Sequence, residues 1–219
     1  ANALINEGIS KGDKVAICMQ NNPEFIFAYL GIVGIGAVCV PLNSWWVPSE
    51  VMYGLEHSDA KLLFADQKRM QGLECLKDVK KIITTYTPDP LFKSFSDFIN
   101  EQSISFPEIE ISRNDPATIY YTSGSTGKPK GVLSSQKAVI ATLFSWACFS
   151  SIMKEVDNQK DPNTPSLLDE ASAILLCVPL FHVTGSHAGM FMYILVGRKI
   201  VMMKKWDAGI ALKLIEQET

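Results

Sequence analysis

The sequence lacks the features that mark several classes of protein. Its five cysteines, at positions 18, 39, 75, 148 and 177, include no C-x-x-C pair and mostly lie in apolar runs, which favours buried, reduced thiols. A net charge of −3 without a basic stripe argues against nucleic-acid binding. Of the three histidines, His182 and His187 are five positions apart, a spacing that fits no zinc-binding motif. We therefore expect a cytoplasmic, globular protein with an ordinary hydrophobic content of 47%.

No apolar run is long enough to favour a membrane span. The one candidate, residues 25–40, holds about sixteen apolar or glycine residues, whereas a spanning helix needs about twenty. Its glycines and the following Pro41 instead fit a buried helix and a buried strand. A peripheral contact with a membrane stays open, and the sequence does not indicate an oligomeric state. Because an initiator methionine and a signal peptide are absent, we expect a segment truncated at both ends.

Predicted strands and helices alternate along the chain. This alternation predicts an α/β fold, with a mostly parallel sheet covered by helices. The strands are expected at residues 14–19, 37–42, 60–65, 81–84, 117–121, 174–179 and 199–203. The helices are expected at residues 22–34, 48–57, 92–100, 135–149, 186–196 and 208–217. Residues 154–166 are polar and contain two prolines, so we expect a mobile surface loop there.

Residues 122–132 form the most informative segment of the chain. They read Thr-Ser-Gly-Ser-Thr-Gly-Lys-Pro-Lys-Gly-Val and directly follow an apolar stretch. The glycines let backbone N–H groups approach a ligand, and the hydroxyls and lysines supply donors and charge for phosphate oxygens. Because α/β sheets bind phosphates at the carboxyl ends of their strands, we predict a nucleoside triphosphate site. We expect the loop to lead from a strand without closing an antiparallel hairpin, and to be mobile without ligand.

Two common phosphate-binding motifs do not account for this segment. Walker A requires four residues between its glycines and a hydroxyl residue after its lysine. Here two residues separate Gly124 from Gly127, and Pro129, which has no N–H, follows Lys128. The dinucleotide motif G-x-G-x-x-G is absent from the segment as well. A kinase or NTPase with an atypical loop, or a plain hydrophilic turn, stays open as an alternative.

Residues 121–132 resemble the signature of the adenylate-forming superfamily, which includes acyl-CoA and aryl-CoA ligases, luciferases and the adenylation domains of peptide synthetases. Residues 12–24, 36–43 and 178–185 are similar to segments of the same family in the same order. The resemblance runs from about residue 4 to the end of the chain. It implies that residues 1–219 are part of the large N-terminal AMP-binding domain.

The resemblance also implies an activity. A carboxylic acid–CoA ligase of this family uses ATP, Mg²⁺ and coenzyme A to convert a fatty or aryl acid into an acyl-adenylate and then into a thioester. Its partners are therefore small molecules. A non-catalytic nucleotide-binding relative, or an adenylating enzyme with an acceptor other than CoA, remains an alternative. Catalysis by a serine nucleophile has little support, because no serine of the segment has a nearby His/Asp arrangement in the sequence.

Eight residues receive roles from the resemblance. Lys128 would supply positive charge to the phosphates, and Thr122, at the strand end, would contact magnesium. His182 would lie beside the carboxylate of the acid. The other residues expected to bind the triphosphate are Ser123, Gly124, Ser125, Thr126 and Gly127.

Two departures from the family pattern affect these expectations. Residues 134–136 are Ser-Ser-Gln, where many acyl-CoA ligases carry a histidine after the serine or threonine. The family's later adenine- and magnesium-binding segment, its ribose-binding aspartate and its C-terminal lysine have no match, so we expect the chain alone to be inactive. The remaining candidates receive structural roles. We expect His187 to be exposed or at a helix start, His57 to lie at a helix end without a particular role, and the others to occupy solvated turns or pack at surfaces: Asp59, Asp66, Asp115, Trp45 and Trp46.

Overall fold

The computed structural model describes residues 1–73, 81–84, 92–123, 127–160 and 173–218. The chain forms two compact units, Ala1–Gln136 and Lys137–Thr219. The described part of the first unit contains one seven-stranded sheet. Its strands are β1 (Lys14–Cys18), β2 (Val38–Pro41), β3 (Ala60–Ala65), β4 (Lys81–Thr84), β5 (Lys93–Ser94), β6 (Pro116–Thr122) and β7 (Lys130–Ser135). Its helices are α1 (Asn2–Asn6), α2 (Pro23–Gly34), α3 (Pro48–Ser58), α4 (Gln67–Met70) and α5 (Phe95–Ile99).

The sheet of the first unit is mostly parallel, as predicted. The strand order is β5-β4-β3-β1-β2-β6-β7, and every neighbouring pair except β6–β7 is parallel. β1 lies in the middle, and its residues from Val15 to Cys18 are buried, as all four residues of β2 are. Strands buried on both faces read as continuous apolar runs, which explains why the sequence located them well. The predicted α/β fold class is confirmed.

The last strand of this sheet contradicts one prediction. β7 runs antiparallel to β6, with Thr122 opposite Lys130 and Tyr121 opposite Gly131. The glycine-rich segment leaves the carboxyl end of β6 as expected, but it closes an antiparallel hairpin, so the expectation of a loop outside a hairpin is wrong. The sequence hid β7 because its apolar run is only Val132 and the next leucine. Its first residues, Lys130 and Gly131, had also been counted as part of the loop.

Asp66 is another correction, since it lies in a buried ion pair and not in a solvated turn. It precedes α4, and its carboxylate accepts hydrogen bonds from the Gln20 N–H at 2.8 Å and from the Arg69 N–H at 3.1 Å. The Arg69 guanidinium lies 3.2 Å from the same carboxylate and donates through Nε to the Ser44 carbonyl at 3.0 Å. This pair therefore joins the segments that follow β1, β2 and β3. Asp115 also has a partner, because Lys11 Nζ lies 2.7 Å from its carboxylate.

The described part of the second unit contains a two-stranded parallel sheet of β8 (Ala173–Leu176) and β9 (Lys199–Met202). Its helices are α6 (Gln136–Lys160), which begins on the last residue of the first unit, a π-helix (Thr184–Phe191), α7 (Met192–Leu195) and α8 (Ala208–Glu218). α6 is longer than predicted. Residues 154–160 belong to this helix, so the prediction of a loop is wrong for that part of the expected range 154–166. That stretch is polar, yet Lys, Glu and Gln are good helix formers and the first proline comes at position 162. Residues 161–172 lie outside the described residues.

α6 also corrects the search for membrane segments. Within the described residues, Gln136–Asp157 is long and apolar enough to cross a membrane by length and composition, and none of its most apolar window is buried. The sequence analysis had considered only residues 25–40 and judged them too short, and the helix that overlaps them, Pro23–Gly34, is indeed shorter than a span requires. Core helices of soluble proteins pass the same test of length and composition, so this finding by itself assigns no membrane topology.

Candidate functional site

The predicted phosphate loop joins β6 to β7 in the first unit, and both of its arms are described. Thr122 ends β6, and the side chains of Thr122, Ser123 and Lys128 are exposed. Gly127 has a φ of +90°, a left-handed conformation in which a side chain would be strained. Gly124, Ser125 and Thr126 lie outside the described residues, so their roles and the expected mobility of the loop stay predictions.

The arm that returns to β7 touches helix α3. The Tyr53 hydroxyl donates a hydrogen bond to the Pro129 carbonyl at 3.1 Å, and Lys128 Nζ lies 5.6 Å from the centre of the Tyr53 ring. An ammonium group within about 6 Å of an aromatic face is attracted by the negative charge density of the ring. Tyr53 therefore contacts two consecutive residues of the loop: it binds the main-chain carbonyl of Pro129 and attracts the charged side chain of Lys128.

Three further side chains, those of His57, Tyr121 and Trp46, form a connected cluster that includes Tyr53. The His57 ring stacks on the Tyr53 ring with centroids 5.3 Å apart, and His57 Nδ1 lies 2.9 Å from the Tyr121 hydroxyl oxygen. The Tyr121 hydroxyl donates to the Gly54 carbonyl at 3.1 Å, so its oxygen accepts from His57 Nδ1–H. Burial raises the pKa of Tyr121 to about 12, which keeps this donor protonated at neutral pH. Trp46 meets the Tyr121 ring edge-on at 5.4 Å.

These contacts revise two expectations from the sequence. His57 lies in the last turn of α3, as predicted, but it has defined partners where no particular role was expected. Trp46 packs against the base of the loop, whereas Trp45 is 72% exposed. The signal that could have located this cluster is the spacing of Tyr53 and His57, four apart on one helical face.

Lys130 is a residue that the sequence analysis did not select. It lies directly opposite Thr122 in the β6–β7 pair, and opposite residues of an antiparallel pair place their side chains on the same face. Lys130 is exposed, so its ammonium group is available near the hydroxyl expected to contact magnesium. The neighbouring Gly131 is needed for close packing, since an added Cβ would come within 2.8 Å of the Ile119 side chain. Only the pairing of the hairpin reveals this arrangement.

His182 lies in the second unit, just before the π-helix. It is exposed, and its Nδ1 accepts a hydrogen bond from the Thr184 N–H at 3.3 Å. A neutral imidazole in this arrangement carries its proton on Nε2. The His182 carbonyl accepts from both the N–H and the hydroxyl of Ser186, each at 3.1 Å. The residue is therefore fixed at a helix start with its side chain open to solvent.

The π-helix depends on two glycines that allow close packing. A Cβ added to Gly185 would lie 2.2 Å from the Pro179 carbonyl oxygen, and one added to Gly189 would lie 2.7 Å from the Leu176 side chain. π-helical turns are rare and occur frequently at functional sites. The segment around His182 thus has a backbone path that excludes larger residues at position 185.

We expect Gly185→Ala to destabilise the second unit. The new methyl group would meet a backbone oxygen, which cannot rotate away, and overpacking of this kind costs about 1–3 kcal/mol. Chemical denaturation followed by far-UV circular dichroism measures the change. Gly209→Ala in α8 is the matched control. A Cβ added there would lie 3.4 Å from Asp207 Oδ1, an ordinary contact, and alanine favours helices. An equal stability of the two variants would contradict the proposed packing.

His187 differs from its expectation, since it is 6% exposed. It lies within the π-helix, where its ring stacks on Phe191 with centroids 5.8 Å apart. Burial lowers the pKa of His187 to about 4, so the imidazole is neutral at physiological pH. A neutral, packed histidine fits a structural role.

The described residues offer little for a metal beyond hydroxyl groups. Among them, no group of three or more His, Cys, Asp or Glu side chains is placed to hold an ion. Thr122, at the end of β6, is the residue that the sequence analysis expects to contact magnesium. A magnesium ion here would therefore take most of its ligands from phosphates and water, as Mg²⁺ commonly does.

Comparison with known proteins gives a consistent picture. The family model described as "AMP-binding enzyme" matches residues 1–219. Among curated relatives, 4-coumarate–CoA ligase 3 of Arabidopsis thaliana is 31% identical over 221 residues, which cover 99% of this chain and 37% of that enzyme. The chain therefore spans well under half the length of this relative.

Two solved structures share the fold of this chain. The inhibitor-bound N-terminal domain of FACL13 from Mycobacterium tuberculosis matches 99% of this chain and 50% of its own, with a TM-score of 0.77 and 26% identity. A putative long-chain-fatty-acid CoA ligase from Rhodopseudomonas palustris matches 98% of this chain and 50% of its own, with a TM-score of 0.76 and 27% identity.

Proposed function

Because the chain belongs to the AMP-binding enzyme family, we propose that the complete protein is an ATP-dependent carboxylic acid–CoA ligase. The observation that carries the proposal is the glycine- and hydroxyl-rich loop at the carboxyl end of β6, with Lys128 on its returning arm. The plant relative and the Rhodopseudomonas palustris structure are both named as CoA ligases, which supports the same chemistry. The chain spans only part of each relative, so the activity is proposed for the complete protein.

The proposed reaction has two steps. In the first, a carboxylate oxygen of the acid attacks the α-phosphorus of ATP, the bond from that phosphorus to the bridging oxygen breaks, and pyrophosphate leaves with its electron pair. In the second, the thiol of coenzyme A loses its proton and attacks the acyl carbon, and AMP leaves. Neither step needs a protein nucleophile, because the substrates supply the carboxylate and the thiol, and the protein lowers the barriers by positioning them and neutralising charge.

The loop would hold the β- and γ-phosphates. Lys128 is exposed on the returning arm and would balance the charge that develops on pyrophosphate as it leaves. Ser123 and the hydroxyls at 125 and 126 would donate to phosphate oxygens, and the glycines at 124 and 127 would expose N–H groups. Magnesium, when bound, would neutralise phosphate charge, and Thr122 is the residue of this chain that would hold it.

His182 would lie beside the acyl carboxylate. It is exposed at the start of the π-helix, and its neutral form would present Nε2–H as a donor. A donor of this kind could orient the attacking carboxylate without removing its charge. The buried His187, by contrast, has no part in the proposed chemistry.

Fatty and aryl acids are the proposed substrate classes. The segment Pro-Leu-Phe-His-Val-Thr-Gly at residues 179–185 leans towards these acids over amino acids. The relatives include both kinds, since one is named for 4-coumarate and another for long-chain fatty acids. The choice between the two classes is left to experiment.

Pyrophosphate exchange into ATP tests the proposal. The complete protein is incubated with ATP, magnesium, labelled pyrophosphate and a panel of fatty and aryl acids, and we expect acid-dependent exchange with at least one of them. Addition of coenzyme A should then give a thioester and AMP in equal amounts. Formation of ADP or phosphate would instead indicate kinase or NTPase chemistry. An absence of both acid-dependent exchange and thioester would point to a non-catalytic nucleotide-binding protein.

A further inference from the structure

Helix α3 holds the returning arm of the phosphate loop through one residue. Tyr53 donates to the Pro129 carbonyl at 3.1 Å, and its ring lies beneath Lys128 Nζ at 5.6 Å. The hydrogen bond joins residues 76 positions apart. It therefore fixes the main chain of the loop to a helix that is distant in the sequence.

The ring of Tyr53 is itself held in place. His57 stacks on it, and His57 Nδ1–H donates to Tyr121, whose hydroxyl donates in turn to the Gly54 carbonyl. The chain of contacts thus begins and ends on α3 and passes through β6. α3 can lie this close to Leu42 because residue 54 is glycine: an added Cβ would approach that side chain to 2.8 Å.

These contacts place Lys128 before any phosphate is present. The aromatic face attracts the ammonium group only weakly at an exposed site, whereas phosphate oxygens attract it more strongly. A lysine held in this way loses less conformational freedom when a polyphosphate binds. The same tether limits the positions that Pro129 and its neighbours can adopt.

We propose that Tyr53, supported by His57 and Tyr121, is a positioning residue that holds Lys128 ready for the phosphates of the nucleotide. The proposal rests on the proposed function, since it assigns the phosphates to this loop. Tyr53 acts through Lys128, which its ring and its hydrogen bond to the neighbouring Pro129 carbonyl both help to place, and it does not touch the reacting atoms.

The first test observes the contact directly in the complete protein without nucleotide. Reductive methylation with ¹³C labels the lysine amino groups, and Lys128→Arg identifies the signal of Lys128. We expect that signal to be shifted upfield by the Tyr53 ring, to lose the shift in Tyr53→Leu, and to keep it in Tyr53→Phe. Glu56→Ala, an exposed change on the same helix, should leave the signal in place. A Lys128 signal at the position of an ordinary exposed lysine would overturn the proposal.

The second test measures what the contact does for phosphate binding. Tripolyphosphate is titrated into the complete protein, and we expect Tyr53→Leu to raise its Kd by about three- to tenfold, the effect of losing one modest interaction. In a protein that already carries Lys128→Ala, Tyr53→Leu should raise the tripolyphosphate Kd hardly any further. A residue that acts through Lys128 has no effect once that lysine is absent. Independent, additive effects would indicate a merely structural tyrosine and overturn the proposal.

The two proposals can fail separately. Tripolyphosphate binding that depends on Tyr53, without pyrophosphate exchange for any acid, would contradict the ligase and keep the positioning role. Normal pyrophosphate exchange by the wild-type protein, together with an unchanged tripolyphosphate Kd in Tyr53→Leu, would keep the ligase and contradict the positioning role. A wild-type protein that neither binds tripolyphosphate nor exchanges pyrophosphate with any acid would overturn both.

Discussion

The 219-residue chain alone is expected to give no measurable pyrophosphate exchange, whereas the complete protein exchanges with its preferred acid. The chain spans 37% of the plant ligase it matches, and by resemblance the segments for adenine, ribose and the acidic magnesium ligand are missing from it. We expect the loop by itself to hold phosphates without aligning the α-phosphorus with the attacking carboxylate.

The expected loss is large because alignment is a large part of the catalytic effect. Holding reactants in the productive geometry lowers a barrier by on the order of 7–11 kcal/mol, so its loss removes activity below detection. The measurement is exchange with the same fatty and aryl acids for both proteins at equal concentration. Tripolyphosphate binding to the short chain serves as the control that its loop is intact. Exchange by the short chain at a rate near that of the complete protein would refute the assignment of adenine, ribose and magnesium binding to segments outside the 219 residues.

Lys128→Ala in the complete protein should slow pyrophosphate exchange by roughly 10- to 100-fold. A hydrogen bond to a charged group is worth about 1.5–3 kcal/mol, and the lysine is expected to neutralise the leaving pyrophosphate. Lys128→Arg keeps the charge and should retain much of the activity. Lys68→Ala removes a similarly exposed lysine from α4 and is the control for a general change of surface charge. A loss below about threefold in Lys128→Ala would exclude a phosphate contact for this lysine.

Lys130→Ala separates the two lysines of the hairpin. Lys130 lies opposite Thr122, so its side chain shares a face with the hydroxyl expected near magnesium. A larger loss in Lys130→Ala than in Lys128→Ala would move the main phosphate contact to the strand. The role of Lys128 would then reduce to the contact that Tyr53 makes with the returning arm.

Much of the first unit follows from its sequence, for a physical reason. Strands such as β3 are buried along nearly their whole length and therefore appear as uninterrupted apolar runs. α2 begins at Pro23 and carries Glu24 in its first turn, both favoured at helix starts, and it ends at Gly34 as predicted. Local composition and tertiary environment agree in these segments.

The failures share a cause, which is that tertiary contacts decide the outcome. β7 exists because it pairs with β6, although its own apolar run is short. Asp66 is buried because Arg69 neutralises it, and no local pattern distinguishes such a pair from a solvated turn. His187 is likewise buried by the packing of the π-helix. The candidate site shows the same limit: the sequence selected the loop, but only the fold reveals the tyrosine beneath it.

The order of strands in the first unit has a consequence for synthesis of the protein. β1 pairs with both β2 and β3, so the three central strands are complete once residue 65 has left the ribosome. At about 5–20 residues per second, β6 and β7 follow roughly 4–14 s later. The hairpin and its loop are thus added to a sheet whose centre can already be formed. Substitutions in the loop should therefore alter ligand binding with little effect on the yield of folded protein.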